Sequence, residues 1–326
     1  MITIGSRSSP LARAQSDWVA ARLAEHGVEA RFVGITTAGD TDRRQLTQIG
    51  GTGVFVAAVR AAVADGRVDL AVHSTKDLPT APAPGLTVGA ICERADVRDV
   101  LVGSTLATLR SGMRVGTGSP RRAVQLDAWA REQGIAVEIV PIRGNVGSRL
   151  DLVASGRLDA VVLAAAGLVR LGRLRLPVDQ DQPARLLGRH RLEVETLEFS
   201  VMLPAAGQGA LAVEISESAS PEIVAAVHLL DVFSYHAEVA AERAFLATLE
   251  AGCLSPIGVA ATAARGHGKS LDLTMAAVIG KTLVDTDDFA SSSGPLLRLE
   301  TTGSATDAAR VGTNLARRAL DRLKPS

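Results

Sequence analysis

Aromatic side chains are scarce in this chain, making up 3% of its 326 residues as six Phe, two Trp and one Tyr. With 47% of residues hydrophobic, the core has to be built mainly from Ala, Val and Leu, and the length allows two or three domains. Net charge is missing as well: 35 Lys and Arg balance 35 Asp and Glu. Without a basic surplus, duplex nucleic acid and anionic membranes are not expected partners. There are only two cysteines, Cys92 and Cys253, far apart, so no disulfide is expected. The six histidines form no HExxH and no i,i+4 pair, and no CxxC accompanies them, which argues against a metal site. Long hydrophobic runs are absent. The longest, Leu158 to Val169, is interrupted by Asp159 and is too short to span a bilayer. Met1 leads straight into ITIGSR with no charged and apolar leader, so a cytoplasmic location is expected. No GxxxxGK[ST] exists, and GTG in GTGSPRR lacks the third glycine of a dinucleotide fingerprint, so nucleotide binding has no support.

What the chain does have is arginine inside Gly/Ser-rich turns: Arg7 in IGSRSSP, Arg121 and Arg122 in GTGSPRR, Arg143 and Arg149 in RGNVGSR. Each turn separates a strand-like run from a helix-like run. Guanidinium forks bind carboxylates bidentately, and turn amides at a helix start add fixed positive potential. Three such turns predict a cleft for a ligand with several negative charges.

For the first two thirds, strand-length apolar segments alternate with helical patterns. A helix is predicted from about Pro10 to His26 with Ser9 as N-cap, then a strand over Ala30–Ile35, a Gly- and Thr-rich loop from Thr36 to Gly53, a helix near Val54–Ala64 and the strand VDLAVHS. This rhythm implies an α/β fold with a mostly parallel sheet. VADGRVDLAV from Val63 and VASGRLDAVV from Val153 look like a repeat, each preceded by a strand, an arginine turn and a helix. Duplication into two facing lobes is one reading; a common helix-exit sequence is the other. Ligands of open α/β sheets bind beyond the strand carboxyl ends, where the arginine turns fall. Arg173 to Arg191 reads as an exposed excursion. From about Val224 the pattern changes: a helix over His236–Glu250 ending at Gly252, alternating segments (VAATA, LDLTMAAV, LLRLETT), and a last helix from about Ala305 to Leu323 predict a separate α+β domain with antiparallel strands.

Several residues could carry chemistry. HSTKDLP, His73 to Pro79, puts Lys76 and Asp77 at the end of an apolar strand. A carboxylate there could stabilise a cation or shuttle a proton, or the pair could be a solvated surface turn. His73 and Ser74 point to opposite faces of a strand, which weakens a Ser–His hydrolase reading. Cys253 lies in AGCLSPIG beyond a helix stop, accessible but not activated, because a helix C-terminus does not lower a thiol pKa. Cys92, in TVGAIC, reads as core. AAGQGAL, Ala205 to Leu211, is a Gly-rich turn offering Gln208 for hydrogen bonding.

IGSRSSPLA, HSTKDLP, GTGSPRRA, RGNVGSRL, AAAGLVRLG, PAAGQGAL and GCLSPIG, in this order, resemble the porphobilinogen deaminase (hydroxymethylbilane synthase) family over roughly Ile2 to Gly258. The resemblance implies two lobes like those of periplasmic binding proteins, crossed twice by the chain, and a smaller C-terminal α+β domain. The boundaries expected are 1–95 with 207–222, 96–206 with an insertion near 173–191, and 223–326. It implies a covalent dipyrromethane cofactor, on which four porphobilinogen molecules are condensed head to tail with loss of ammonia before hydroxymethylbilane is released. Carried over by position, Cys253 becomes the attachment residue. Asp77 becomes the catalytic aspartate, contacting pyrrole nitrogens and stabilising an azafulvene cation. Arg7, Arg121, Arg122, Arg143, Arg149 and Arg170 become ligands for acetate and propionate groups, with Ser74, Lys76, Ser119, Asn145 and Gln208 adding hydrogen bonds. A monomer is expected. The loop before GVF departs from the family, with Gln48 and Thr52 where many members carry lysines; Arg43, Arg44 and Phe55 lie nearby. A non-catalytic bilobal carboxylate-binding protein would use the same arginine turns but has no need of Cys253 or a third domain. A phosphoribosyltransferase would need a pyrophosphate loop that the sequence lacks.

Overall fold

The computed structural model describes residues 1–36, 53–176, 184–252, 255–266, 271–280 and 295–324, with the side chains of 53–55 left out. Its strands form three sheets. The first contains β1 (Ile2–Arg7), β2 (Ala30–Ile35), β3 (Leu70–Ser74), β4 (Leu86–Ile91) and β11 (Leu211–Ser216) in the order β2-β1-β3-β11-β4. The second contains β5 (Asp99–Val102), β6 (Arg114–Thr117), β7 (Glu138–Pro141), β8 (Ala160–Ala164), β9 (Ala184–Arg185) and β10 (Glu193–Thr196) in the order β7-β6-β8-β5-β10-β9. β12 (Ile257–Arg265), β13 (Leu271–Ile279) and β14 (Leu297–Ser304) make an antiparallel third sheet.

The helices are α1 (Pro10–Glu25), α2 (Gly53–Ala64), α3 (Pro120–Glu132), α4 (Val146–Ala154), α5 (Ala165–Arg170), α6 (Pro221–His228), α7 (Phe233–Thr248) and α8 (Ala308–Leu323). α1 starts as its sequence predicts: Ser9 Oγ accepts from Ala12 N at 3.3 Å and Pro10 occupies the first turn, where its missing N–H costs nothing. A side-chain cap of this kind stabilises a helix by about 1 kcal/mol.

The first two sheets are less parallel than the βαβα rhythm predicts. β1, β2 and β3 run parallel, as do β6, β7 and β8. However, β11 is antiparallel to both β3 and β4, and β5, β10 and β9 pair antiparallel in series. The chain leaves the first sheet after β4, builds the second, and returns as β11 between β3 and β4, so the returning strand enters against its neighbours.

The repeat seen in the sequence is matched by a repeated hydrogen-bond device. Asp69 Oδ2 accepts from Thr3 N at 2.7 Å, and Asp159 Oδ2 accepts from Arg114 N at 2.6 Å. In return Asp69 N donates to Thr3 O and Asp159 N to Arg114 O. Each GRxD aspartate thus pins the start of its sheet's first parallel strand, which favours duplication over coincidence.

Two further expectations need correction. The helix near Cys253 ends earlier than Gly252: α7 stops at Thr248, and Glu250 takes the left-handed conformation with φ 52. Glu250 N bonds to Ala247 O and Ala251 N to Leu246 O, a Schellman pair whose second bond accompanies burial of Ala251. The excursion from Arg173 is anchored at both described ends, since Leu174 and Leu186 are buried in the core of the second sheet.

Candidate functional site

Arg7 ends β1, Ser74 ends β3, the Ser119 turn follows β6, the Arg143 turn follows β7, and Arg170 closes α5 just after β8. All lie at carboxyl ends of parallel strands, where side chains and helix N-termini project beyond the sheet.

The two crossing segments meet at this rim. Ala95 N bonds to Gly209 O, Cys92 N to Leu211 O and Thr75 N to Ala210 O. So close an approach requires the glycines of AAGQGAL: at Gly209 (φ +86) a Cβ would lie 2.4 Å from Ala95 O, and at Gly207 (φ +70) 2.7 Å from the Thr75 side chain. Between them Gln208 is fully buried. Its Nε2 donates to Val97 O at 2.7 Å and Asp99 Oδ1 at 2.9 Å, its Oε1 accepts from Lys76 Nζ at 3.4 Å, and its carbonyl accepts from Arg94 Nε at 3.0 Å. One side chain therefore joins the segment bearing Asp77 to the second sheet.

Asp99 is the residue the sequence reading missed. Fully buried, it takes Arg121 Nη1 on Oδ2 at 2.6 Å and Arg122 Nη2 on Oδ1 at 2.7 Å. Burial alone would raise its pKa, but the two guanidiniums override that and hold it well below the usual carboxylate range. Arg121 also donates to Leu203 O and Arg122 to Val162 O. Both arginines of GTGSPRR are therefore buried and bound to protein acceptors. The signal was present in the sequence as a lone Asp opening the apolar strand DVLV, which needs a cationic partner if the strand is buried.

The cations around this pair are differently placed. Arg149, on α4, donates from Nε to Gly144 O at 2.9 Å; burial first, and Arg122 second, lower its pKa to about 10. Arg170 donates from Nη2 to Gly209 O at 2.6 Å, and burial lowers its pKa to about 10. Among the described residues, no carboxylate forms an ion pair with either. Lys76 is lowered to about 8, chiefly by burial and then by Arg122, with Asp77 and Asp99 opposing. Asp77 itself is exposed at the end of a single 3₁₀ turn, Thr75–Asp77. The segment after it is held from α7, where Arg243 donates to Leu78 O and Pro79 O.

The remaining expected residues sit at the same rim. Asn145 Oδ1 caps α4 by accepting from Ser148 N at 2.9 Å. Ser119 is the α3 N-cap position, its N–H donating to Thr117 Oγ1. Arg143 is exposed and Arg7 half-buried. Cys253, Gln48, Thr52, Arg43 and Arg44 lie outside the described residues, as does the Phe55 side chain. Cys92 is core as expected, and burial pushes its thiol up to about 12.

Two other charged clusters went unseen. Arg94, in the first crossing segment, ion-pairs with Glu238 and Glu242 of α7 at 3.0 and 2.9 Å, and Glu242 also accepts from Gly207 N and Ala261 N. This ties both crossings to the third sheet. Under β3, Glu214 takes Arg60 bidentately and lies 3.1 Å from His73 Nε2. Burial pushes the Glu214 carboxyl up, and its bonds to His73 and Arg60 bring it down to about 2. His73 therefore faces away from the rim, which removes the basis for a Ser–His pair. The lone Glu in LAVEIS was the available clue.

A family model described as porphobilinogen deaminase, dipyromethane cofactor binding domain, matches residues 2–223, and one for the porphobilinogen deaminase C-terminal domain matches 236–321. Porphobilinogen deaminase 1 of Streptomyces coelicolor is 48% identical over 299 residues, covering 90% of this chain and 88% of that protein. Porphobilinogen deaminase of Leifsonia xyli subsp. xyli is 48% identical over 267 residues, covering 80% and 75%. A periplasmic substrate-binding protein of an ABC transporter from Coxiella burnetii aligns over 71% of this chain and 92% of its own at 14% identity and a TM-score of 0.41, which adds nothing to the fold derived from strand order.

Proposed function

The chain belongs to the porphobilinogen deaminase family, and from that premise we propose how its own residues divide the work at the rim around Gln208. The protein is a transferase of tetrapyrrole biosynthesis with a dipyrromethane cofactor, acting on porphobilinogen. When attached, the cofactor supplies the pyrrole carbon to which the first substrate is joined.

The observation that carries the assignment is the unequal charge balance of the rim. Arg149 and Arg170 are lowered to about 10 by burial, yet their partners are carbonyl oxygens. Two desolvated cations with no carboxylate among the described residues call for an anion, and each pyrrole unit of the cofactor or substrate brings acetate and propionate groups. The residues present therefore fit the group. Arg149, Arg170, Lys76, Arg7 and Arg143 would hold carboxylates, each charge-assisted bond being worth about 1.5–3 kcal/mol. Arg121 and Arg122 contribute with the donors that Asp99, Leu203 and Val162 leave over, and Ser74, Ser119, Asn145 and Gln208 align the rim.

Asp77 stands apart because it is the exposed carboxylate beside this cationic set. It accepts the pyrrole N–H of porphobilinogen and offsets positive charge as the aminomethyl C–N bond breaks. The electron pair leaves with nitrogen as ammonia from the protonated aminomethyl group; the electrophilic methylene carbon left behind would bond to the free α-carbon of the chain's terminal pyrrole, and that α-carbon would then lose its proton. Cys253 is the attachment residue in this reading. The domain division 1–95 with 207–222, 96–206 and 223–326 is the proposed one, supported by the return of the chain as β11. No single described helix is long and apolar enough to cross a membrane. A cytoplasmic monomer is part of the same reading.

Intact mass tests it. Protein made in cells that synthesise porphobilinogen is expected to exceed its sequence mass by two linked pyrrole units, and Cys253→Ser to lack them. Asp77→Ala is expected to keep the added mass while turnover falls roughly 10²–10⁴-fold. A Cys253→Ser protein that still carries the mass, or an Asp77→Ala enzyme with normal turnover, overturns the corresponding assignment.

A further inference from the structure

We propose that the hairpin made by β9 and β10 is a brace for α4, and that His190 and Asp151 are positioning residues for the anion site on that helix. The inference rests on the assignment of Arg149 to carboxylate binding.

α4 has nine residues, too few to be stable alone, so its orientation depends on what touches it. One anchor is the core. Leu150 and Val153 pack in a cluster with Leu174 and Leu186, the two buried leucines at the described ends of the excursion. The second anchor comes from the hairpin turn. Asp151 Oδ1 takes Arg189 Nη2 at 2.7 Å and His190 Nε2 at 2.8 Å. Asp151 lies two residues after Arg149, so at 3.6 residues per turn the two project from nearly opposite sides of the helix. Core contacts on one flank and the Asp151 contact on another fix the rotation of α4 about its axis, and with it the direction of the Arg149 fork.

The turn is built to deliver this contact. β9 pairs with β10 through Ala184↔Val194 and Arg185↔Glu193, Leu186 N bonds to Leu192 O, and Leu187 N bonds to Arg173 O. Arg191 is held at φ 44, a conformation that non-glycine residues adopt only when their surroundings impose it. The His190 side chain is 6% exposed, against 68% for Arg189, and among the described residues its buried Nδ1 has no hydrogen-bond partner. The ring's polar contact among these residues is therefore Asp151, reached through Nε2. Through that hydrogen bond first, and the Arg189 charge after it, the Asp151 carboxyl is held below its ordinary range.

The test is steady-state kinetics on loaded enzyme. His190→Ala and Asp151→Ala are expected to raise KM for porphobilinogen about five- to tenfold with kcat within about twofold, because a misdirected binding group weakens ground state and transition state alike. Asp151→Asn, which keeps an acceptor for Nε2–H, is expected to restore most of the loss. A purely structural hairpin would lower the melting temperature or the loaded fraction and leave KM unchanged, which would overturn the brace. Should His190→Ala fail to fold, the half-exposed Asp151 carries the same measurement. Arg149→Lys separates the two layers of the argument. If it raises KM and Asp151→Ala does not, the brace fails and the site stands; if Arg149→Lys leaves KM unchanged, the assignment of Arg149 fails first. In the Arg149→Lys background, His190→Ala is expected to add less than twofold, and an undiminished effect would mean that the hairpin acts elsewhere.

Discussion

GTGSPRR and RGNVGSR look alike in sequence, both Gly/Ser turns between a strand and a helix of the same sheet, but their arginines face different fates. Arg121 and Arg122 turn inward and close on Asp99, all three nearly inaccessible to solvent. Arg149 stays at the rim, bonded to a backbone carbonyl, with Arg122 nearby as a like charge. The difference lies in the second element each turn meets. α3 meets β5, whose first residue is the aspartate that takes Arg121 and Arg122, whereas the hairpin brings Arg189 and His190 to Asp151 of α4, on the side away from Arg149. One turn holds the second sheet to the crossing segments through Gln208, while in the proposed reading the other keeps its charge for a ligand.

The strongest way to break this comparison is to neutralise Asp99. In Asp99→Asn two buried guanidiniums lose their counter-charge, and removing one partner of a buried ion pair costs about 3–5 kcal/mol. Urea denaturation should show a loss of that order, while a change under about 1 kcal/mol would mean that Arg121 and Arg122 are neutralised from elsewhere.

Arg149→Met should separate stability from function in the opposite direction. Among the described residues the side chain has no carboxylate to orphan, so stability is expected to stay within about 1 kcal/mol of the parent. Primer loading, read as intact mass, should fall, since losing one charge-assisted contact of about 1.5–3 kcal/mol weakens binding roughly ten- to hundredfold. A variant that loads fully would overturn the assignment of Arg149 to carboxylate binding.

This asymmetry marks what could and could not be read from the chain. The start of α1, the antiparallel third sheet and the duplicated GRxD strands were legible because caps, alternation and turn chemistry are local. The rim was legible too, since strand carboxyl ends follow from the βα order. The return of the chain as β11 was not, because an antiparallel insertion between β3 and β4 is a long-range choice that leaves the strand pattern unchanged. Asp99, Glu214 and Glu242 escaped for a related reason. Each is a single acid in an apolar or helical run, and only the fold brings Arg121 and Arg122, Arg60 and Arg94 to it. The Glu250 turn was missed because Gly252 is the better left-handed residue, and burial of Ala251 decided the matter.

The finest test uses Lys76, which bonds to Gln208 and senses both Asp99 and Arg122. Its pKa of about 8 lies below the ordinary 10.5 because burial and Arg122 penalise the charged form. As pH rises through about 8 the folded protein loses this proton, and with it the cation that, in the proposed reading, helps hold substrate carboxylates. The pH profile of kcat/KM, which reports the free enzyme, should therefore fall on the alkaline side with a midpoint near 8, and Lys76→Gln should have a lower plateau without that limb. Stability should respond with the opposite sign. Between about 8 and 10.5 the unfolded chain binds more protons at this residue than the folded one, so the Lys76 contribution to stability increases with pH across that window and is flat below it. Comparing unfolding of the parent and Lys76→Gln at pH 7 and pH 9.5 isolates that contribution. If instead the Lys76 contribution is the same at pH 7 and pH 9.5 and no alkaline limb appears near 8, the lysine is held charged by a carboxylate in the folded state.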